Sequence, residues 1–147
     1  MKKVLVIDDD VEVLLNWLID ELARRDFIVK RAASLKEALG ILQAESGFCA
    51  AVLDLMLPLM PEEDNIFEDY YGRKPQGPED AMRAGICLIP LLEEKKIPIL
   101  VLTHITSATE IGEEILQEIP EEKVVGVWNK PPEEDFYEKL QRICGQK

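Results

Sequence analysis

Residues 50–58 read AAVLDLMLP, and this stretch decides the fold because an apolar run stops abruptly at an acidic residue. Residues 50–53 form a short continuous apolar run, which is typical of a strand that is buried on both faces. Asp54 follows at the carboxyl end of that strand. Strands buried on both faces belong to parallel sheets that helices cover, so the stretch predicts an α/β fold.

Four further runs predict strands, and helical patterns separate them. These runs are residues 4–7, 27–31, 98–102 and 124–128. Two of the intervening helices begin at capping boxes, in which a serine precedes a glutamate by three positions. The boxes pair Ser34 with Glu37 and Ser107 with Glu110. Five strands alternating with five helices predict a five-stranded parallel sheet that is doubly wound and flavodoxin-like, (βα)5, with strand order 2-1-3-4-5.

The composition indicates one globular domain, residues 1–147, with an excess of acid and a net charge of −12. That charge argues against nucleic acid and anionic membranes, which attract clusters of lysine and arginine. The amino-terminal apolar run is too short for a signal peptide or a membrane span. Cys49, Cys87 and Cys144 are odd in number and widely spaced. We therefore expect three free thiols and a cytoplasmic protein.

Polar residues collect where the predicted strands end. They are Asp8 and Asp9 after the first strand, Asp54 after the third, Thr103 after the fourth and Lys130 after the fifth. Taken singly, such residues cap helices or form turns. Taken together, the carboxylates would repel one another without a counter-charge, which Lys130 and a hard cation such as Mg²⁺ or Mn²⁺ can supply. The arrangement predicts a site where a carboxylate attacks a phosphoryl group.

These residues and their neighbours resemble the motifs of bacterial response-regulator receiver domains. The resemblance rests on VIDDD at 6–10, LDLMLP at 53–58, LT at 102–103 and NKP at 129–131. It spans nearly the whole chain apart from residues 59–84. It implies a stand-alone signalling switch of a two-component phosphorelay, and not an enzyme.

The resemblance also implies a metal-dependent phosphoacceptor. Asp54 matches the residue that takes the phosphoryl group in this family. Asp8, Asp9, Asp54 and the backbone carbonyl of Met56 match the ligands of Mg²⁺ or Mn²⁺.

Further positions match residues that contact the phosphoryl group or modulate the switch. Thr103 and Lys130 match the phosphate contacts, and the Lys130–Pro131 bond matches a cis peptide. His104 replaces a small residue, and it either shields the site or lies exposed in a loop. Val127 replaces the usual aromatic switch residue, so coupling through that position is in doubt.

The resemblance implies a sensor histidine kinase or a phosphotransfer protein as the phosphoryl donor. Output would pass to a downstream protein partner or through self-association, with no direct contact to nucleic acid or membrane. One alternative is a receiver-like interaction module that works without phosphate. Another is a magnesium-dependent phosphatase, but such enzymes need a second aspartate two residues after the nucleophile, where this chain has Met56.

Residues 59–84 form an acidic and aromatic insertion between the third strand and the third predicted helix. The family usually has a short loop here, followed by a glycine that matches Gly85. Two hypotheses compete for this segment. It is either a solvated loop, which chains tolerate at little cost, or a lid or docking segment beside Asp54 whose aromatic residues are buried.

Overall fold

The structure, a computed structural model, describes residues 2–10 and 13–145, and for residues 13–15 it describes the backbone alone. Its strands are β1 Lys2–Ile7, β2 Phe27–Ala32, β3 Phe48–Leu53, β4 Ile99–Thr103 and β5 Gly126–Asn129. Within the described ranges these five strands form one parallel sheet of order β2-β1-β3-β4-β5. The predicted doubly wound, flavodoxin-like sheet is therefore confirmed.

Helices cover both faces of this sheet. They are α1 Val13–Arg24, α2 Leu35–Ala44, α3 Asp64–Tyr71, α4 Pro78–Ala81, α5 Ile89–Glu94, α6 Glu110–Gln117 and α7 Glu134–Gly145. The described residues thus form seven α-helices, and the prediction of five is wrong because residues 59–84 contain α3 and α4. Pro61 and Pro78 each open a helical turn there, since proline fits the first turn without losing a hydrogen bond. None of the helices in the described part is long and apolar enough to cross a membrane.

Alternate residues of the central strands pack into opposite layers. Leu5 and Ile7 of β1 join the layer that contains α2, α5 and α6. Val4 and Val6 join the layer that contains α1 and α7. All four side chains are fully buried, and each such burial contributes about 1.5–3 kcal/mol relative to exposure. This two-sided burial explains why the strands appear in the sequence as continuous apolar runs.

Residues 59–84 pack on the layer that contains α2 and α5. Phe67 is fully buried, and its ring stacks on that of Tyr71 with the centroids 4.6 Å apart. Ile66 and Tyr70 lie partly buried against the same core. Phe67 is thus buried on the domain and Tyr70 and Tyr71 are partly buried there, while a role of the segment as a lid or docking segment stays a prediction.

The cysteines differ from the prediction. Cys49 and Cys144 form a disulfide that joins β3 to α7, with their Cα atoms 5.1 Å apart. Cys87 is free and buried, as predicted. The expectation of three free thiols is wrong because α7 packs over β3 and brings together two residues 95 positions apart. The cysteines therefore no longer support a reducing compartment.

Candidate functional site

The parallel sheet brings its strand ends, and the polar residues that follow them, to one edge. Asp8 directly follows β1, and its N–H donates to the carbonyl of Ala32 at 2.9 Å. Asp54 directly follows β3, and its N–H donates to the carbonyl of Ile7 at 2.9 Å. Thr103 is the last residue of β4. The ladder hydrogen bonds thus continue past the strands and fix the backbone of both aspartates.

Lys130 lies between the two aspartates. Its Nζ donates to Asp8 Oδ2 at 2.5 Å and to Asp54 Oδ2 at 3.0 Å. The side chain is only 3% exposed, and the backbone N–H donates to the carbonyl of Thr103 at 3.1 Å. The peptide bond to Pro131 is cis. We call Asp8, Asp9, Asp54 and Lys130 the Lys130 cluster.

Burial and mutual repulsion act on the acids of this cluster. Burial, followed by the charge of Asp54, raises the pKa of Asp8 despite its hydrogen bond to Lys130. Burial and the charge of Asp8 likewise raise the pKa of Asp9. Burial alone would lower the pKa of Lys130, but attraction to Asp54 and bonding to Asp8 outweigh it and raise that pKa. One ammonium is therefore too little to balance the carboxylates.

The cluster fits a divalent cation. Asp8, Asp9 and Asp54 each offer a carboxylate oxygen, and these oxygens lie within 4.8 Å of one another. Three carboxylates and one ammonium leave a net charge of −2, which a divalent ion neutralises. Carboxylate oxygens are the donors that Mg²⁺ prefers. Met56 also lies at this site, because its N–H donates to Asp54 Oδ1 at 3.3 Å.

The other predicted residues differ in how deeply they are buried. The Thr103 side chain is fully buried, and its Oγ1 accepts from the N–H of Ile105 at 3.2 Å. His104 is exposed, which agrees with the loop hypothesis for this residue. Val127 on β5 is 42% exposed. The structure thus brings Asp8, Asp9, Asp54 and Lys130 together but gives His104 and Val127 open positions.

Gly85 packs against the backbone of Asp54 and Leu55. A Cβ added there would lie 2.8 Å from Leu55 Cα and still closer to the carbonyl oxygen of Asp54. The N–H of Gly85 also donates to the carbonyl of Leu55 at 2.7 Å, and Leu57 donates to Ala81 at 3.0 Å. Only glycine allows this approach. The end of the 59–84 segment therefore fixes the loop that follows Asp54.

A second charged cluster escaped the sequence analysis. It consists of Tyr71, Arg73, Asp80, Arg83 and Glu118, and we call it the Arg83 cluster. Arg73 donates twice to Asp80, at 2.8 and 2.9 Å. Arg83 donates to Asp80 at 3.3 Å and to Glu118 at 3.0 Å. The sequence gives little sign of this cluster, because Glu118 lies 35 residues from Arg83.

Glu63 is a further buried acid that the sequence analysis missed. It is 1% exposed, yet both carboxylate oxygens are bonded. They accept from the N–H of Met60 at 2.9 Å and from that of Lys36 at 2.7 Å. Glu63 therefore ties the 59–84 segment to the first turn of α2.

Comparison with known proteins gives structural but not sequence matches. The chain matches no family model and no curated protein sequence. A response regulator from Burkholderia pseudomallei, with a phosphorylated aspartic acid, calcium and citrate, is 26% identical. The match covers 99% of this chain and 69% of that chain, with a TM-score of 0.62.

Two further solved structures match over almost the full length of both chains. A two-component response regulator from Clostridium difficile is 19% identical, covering 99% of this chain and 98% of that one, with a TM-score of 0.69. A response regulator from Thermotoga maritima in complex with Mg²⁺-BeF is 18% identical, covering 97% and 99%, with a TM-score of 0.67. The chain therefore has the fold of response-regulator receiver domains, which confirms at this level the resemblance drawn from the motifs.

Proposed function

We propose that this chain is a phosphoacceptor switch of a two-component phosphorelay and that Asp54 takes the phosphoryl group. The observation that carries this proposal is the position of Lys130, whose Nζ bonds both Asp8 and Asp54 at the carboxyl edge of the sheet. Asp9 adds a third carboxylate beside them. A cluster with buried Asp8 and Asp54, an exposed Asp9, excess negative charge and a fixed ammonium suits the binding of a cation and a phosphoryl group.

The chemistry uses the residues of the Lys130 cluster. A carboxylate oxygen of Asp54 attacks the phosphorus of a phosphohistidine on the donor protein. The new O–P bond forms as the P–N bond breaks, and the electron pair of that bond leaves with the imidazole nitrogen. Lys130, already within 3.0 Å of Asp54, then neutralises an oxygen of the transferred group.

A metal site and the hydroxyl of Thr103 complete the arrangement. Asp8, Asp9 and Asp54, with the backbone carbonyl of Met56, would hold Mg²⁺ or Mn²⁺. When bound, the metal supplies positive charge to the phosphoryl oxygens. The Thr103 hydroxyl, buried at the end of β4, is the group that would turn towards the phosphoryl oxygen.

The product of this reaction is a change in the protein itself, so we assign no enzymatic turnover of an external substrate. The donor would be a sensor histidine kinase or a phosphotransfer protein. The output would be altered binding of a downstream protein or of a second copy. Met56 occupies the position where a phosphatase of this type needs an acid–base aspartate, which argues against hydrolytic catalysis.

The test is the intact mass of the protein after incubation with acetyl phosphate and Mg²⁺. We expect one added phosphoryl group, which is lost with EDTA and in Asp54→Asn, a change that keeps the size of the side chain. If the phosphoryl group is hydrolysed too rapidly to be detected, binding of beryllofluoride in the presence of Mg²⁺ is the second measurement. A chain that gains no phosphoryl group and binds no beryllofluoride would instead be a phosphate-independent, receiver-like interaction module.

A further inference from the structure

The Arg83 cluster joins the 59–84 segment to helix α6. Glu118, at the carboxyl end of α6, accepts from Arg83 Nε at 3.0 and 3.1 Å. It also accepts from the hydroxyl of Tyr71 at 2.8 Å. Glu114, one turn earlier, lies 3.4 Å from Arg83 Nη2. Two residues of the segment therefore hold the last turn of α6.

The burial of Arg83 makes this connection stiff. Its side chain is 8% exposed, and Asp80, its partner within the segment, has a side chain that is 5% exposed. A shift of α6 relative to the segment would leave the buried guanidinium with Asp80 alone, a carboxylate that it shares with Arg73. Removing one partner of a buried charge is unfavourable. The segment and α6 must therefore move together, or the Arg83–Glu118 pair must break.

The first turn of α6 is connected to Thr103. The Oγ1 of Thr103 accepts from Ile105, and Ile105 is itself 4% exposed in the core. A Cβ on Gly112 would lie 3.2 Å from the carbonyl carbon of Thr106 and closer to its oxygen. The β4–α6 loop and α6 are therefore in close contact. A movement of Thr103 would be passed to the helix.

The other end of the segment reaches Asp54. The hydrogen bonds from Leu57 to Ala81 and from Gly85 to Leu55 join the end of the segment to the loop after Asp54. The 59–84 segment thus contacts one side of the phosphoacceptor site directly. It contacts the other side, which contains Thr103, through α6.

We propose that Tyr71 and Glu118 are positioning residues that couple the phosphoryl state of Asp54 to the 59–84 segment. In the unmodified chain, Thr103 Oγ1 is bonded to Ile105, and the Arg83 cluster holds α6 in the position that fits this arrangement. The cluster thus stabilises the unphosphorylated state. A movement of α6 on phosphorylation must either break the Arg83–Glu118 pair or move the segment together with α6. The conformation of the segment therefore depends on whether Asp54 is phosphorylated. This inference rests on the proposed function.

The test compares the affinity of three variants for beryllofluoride at fixed Mg²⁺, measured by ¹⁹F NMR. Glu118→Gln removes one charge from the cluster, and Tyr71→Phe removes only the hydroxyl that donates to Glu118. Glu93→Gln is the matched control, because Glu93 accepts from Lys123 at 2.8 Å in an exposed pair on the same face of the sheet. Hydrogen–deuterium exchange of residues 61–83 and 110–117, with and without beryllofluoride, is the second readout.

We expect Glu118→Gln and Tyr71→Phe to bind beryllofluoride about fivefold or more tightly than the unaltered chain, a size typical of coupling between sites. Glu93→Gln should stay within about twofold, as an exposed ion pair contributes little. In the unaltered chain, beryllofluoride should increase exchange in both regions. Tyr71→Phe keeps every charge of the cluster. It therefore tests the coupling even if Glu118→Gln does not fold.

Binding of beryllofluoride with equal affinity in all variants, and with no change of exchange in residues 61–83, would overturn the coupling while leaving the phosphoacceptor function intact. Weaker binding by Tyr71→Phe and Glu118→Gln would also overturn it, because the cluster would then favour the phosphorylated state. Absence of binding in the unaltered chain would be a different failure, in which the proposed function itself falls and the coupling with it.

Discussion

Two charged clusters with buried centres lie in the part of the chain that the structure describes, and their charges are balanced differently. The Lys130 cluster places three carboxylates around one ammonium, so it carries a net charge of −2. The Arg83 cluster pairs the guanidinium groups of Arg73 and Arg83 with the carboxylates of Asp80 and Glu118. Its charges cancel within the protein. A cluster with excess negative charge is suited to a cationic ligand, whereas a balanced cluster is suited to holding elements together.

The pKa values of the acids express the same difference. Hydrogen bonds from Arg73, opposed by burial and helped by the N–H of Gln76, lower the pKa of Asp80 to about 2. Burial and repulsion by Asp54 raise the pKa of Asp8. The negative charge is therefore stabilised at Asp80 and destabilised at Asp8. Charge that is unfavourable in the folded chain marks a functional site more often than a structural one.

Replacing the central cation of each cluster should give the largest difference in stability between the two clusters. We expect Lys130→Met to lower the free energy of unfolding by about 3–5 kcal/mol, because it strands the buried carboxylates of Asp8 and Asp54. Arg83→Met should lower it by less, because Asp80 keeps its bonds to Arg73 and Glu118 is partly exposed. Mg²⁺ should restore much of the loss in Lys130→Met, where the freed acids can bind it, but none in Arg83→Met. Urea denaturation with and without Mg²⁺ measures both. Equal recovery in the two variants would contradict the distinction.

The stability gained from Mg²⁺ should depend on the Lys130 cluster alone. A ligand that binds only the folded chain stabilises it by about 2.7 kcal/mol at one hundred times its dissociation constant. Asp8→Asn should lose this gain, yet without metal it should be at least as stable as the unaltered chain, since it relieves repulsion. Asp80→Asn should keep the gain in full. Thermal denaturation across a Mg²⁺ titration checks this, and a gain retained in Asp8→Asn would speak against the assigned ligand.

The contribution of Asp80 to the free energy of unfolding should be lost only at low pH. Because its pKa is lowered in the folded chain, its charge contributes stability that is present above the unfolded value of 3.8 and lost as pH falls through about 2. The shift corresponds to roughly 2 kcal/mol. Asp80→Asn should therefore be less stable than the unaltered chain at neutral pH, with the difference closing between pH 4 and 2. A difference that stays constant over this range would show that Asp80 acts only through packing.

Much of the fold and the centre of the site could be predicted because their signals are local in the sequence. The continuous apolar runs of β1, β3 and β4 reflect burial on two faces, and the residues after them meet at one edge by topology alone. The predicted cap at Ser34 is confirmed, since its Oγ accepts from the N–H of Glu37 at 3.1 Å. The reciprocal bond of the box differs, because the Glu37 carboxylate accepts from the N–H of Ala33 at 3.1 Å. The box at Ser107 is wrong. Thr109 caps α6 instead and accepts from Gly112 at 3.0 Å.

Features that depend on distant partners could not be predicted. Arg83 and Glu118 are separated by 35 residues, and neither belongs to a periodic pattern. The helices of residues 59–84 are short, and their stability comes from buried contacts such as those of Phe67 and not from helical propensity. The pairing of Cys49 with Cys144 likewise depends on how α7 packs over β3. Tertiary packing determines these features, and local sequence patterns do not reveal which distant residues pack together.

The disulfide between Cys49 and Cys144 closes the chain into a covalent ring. The ring encloses Asp54, Lys130 and the entire 59–84 segment, while Asp8 lies on the open tail that precedes it. A single proteolytic cut within the segment would therefore leave both pieces joined and would run as one species until a reductant is added. The part of the molecule that we expect to respond to phosphorylation can thus be nicked without the two pieces separating.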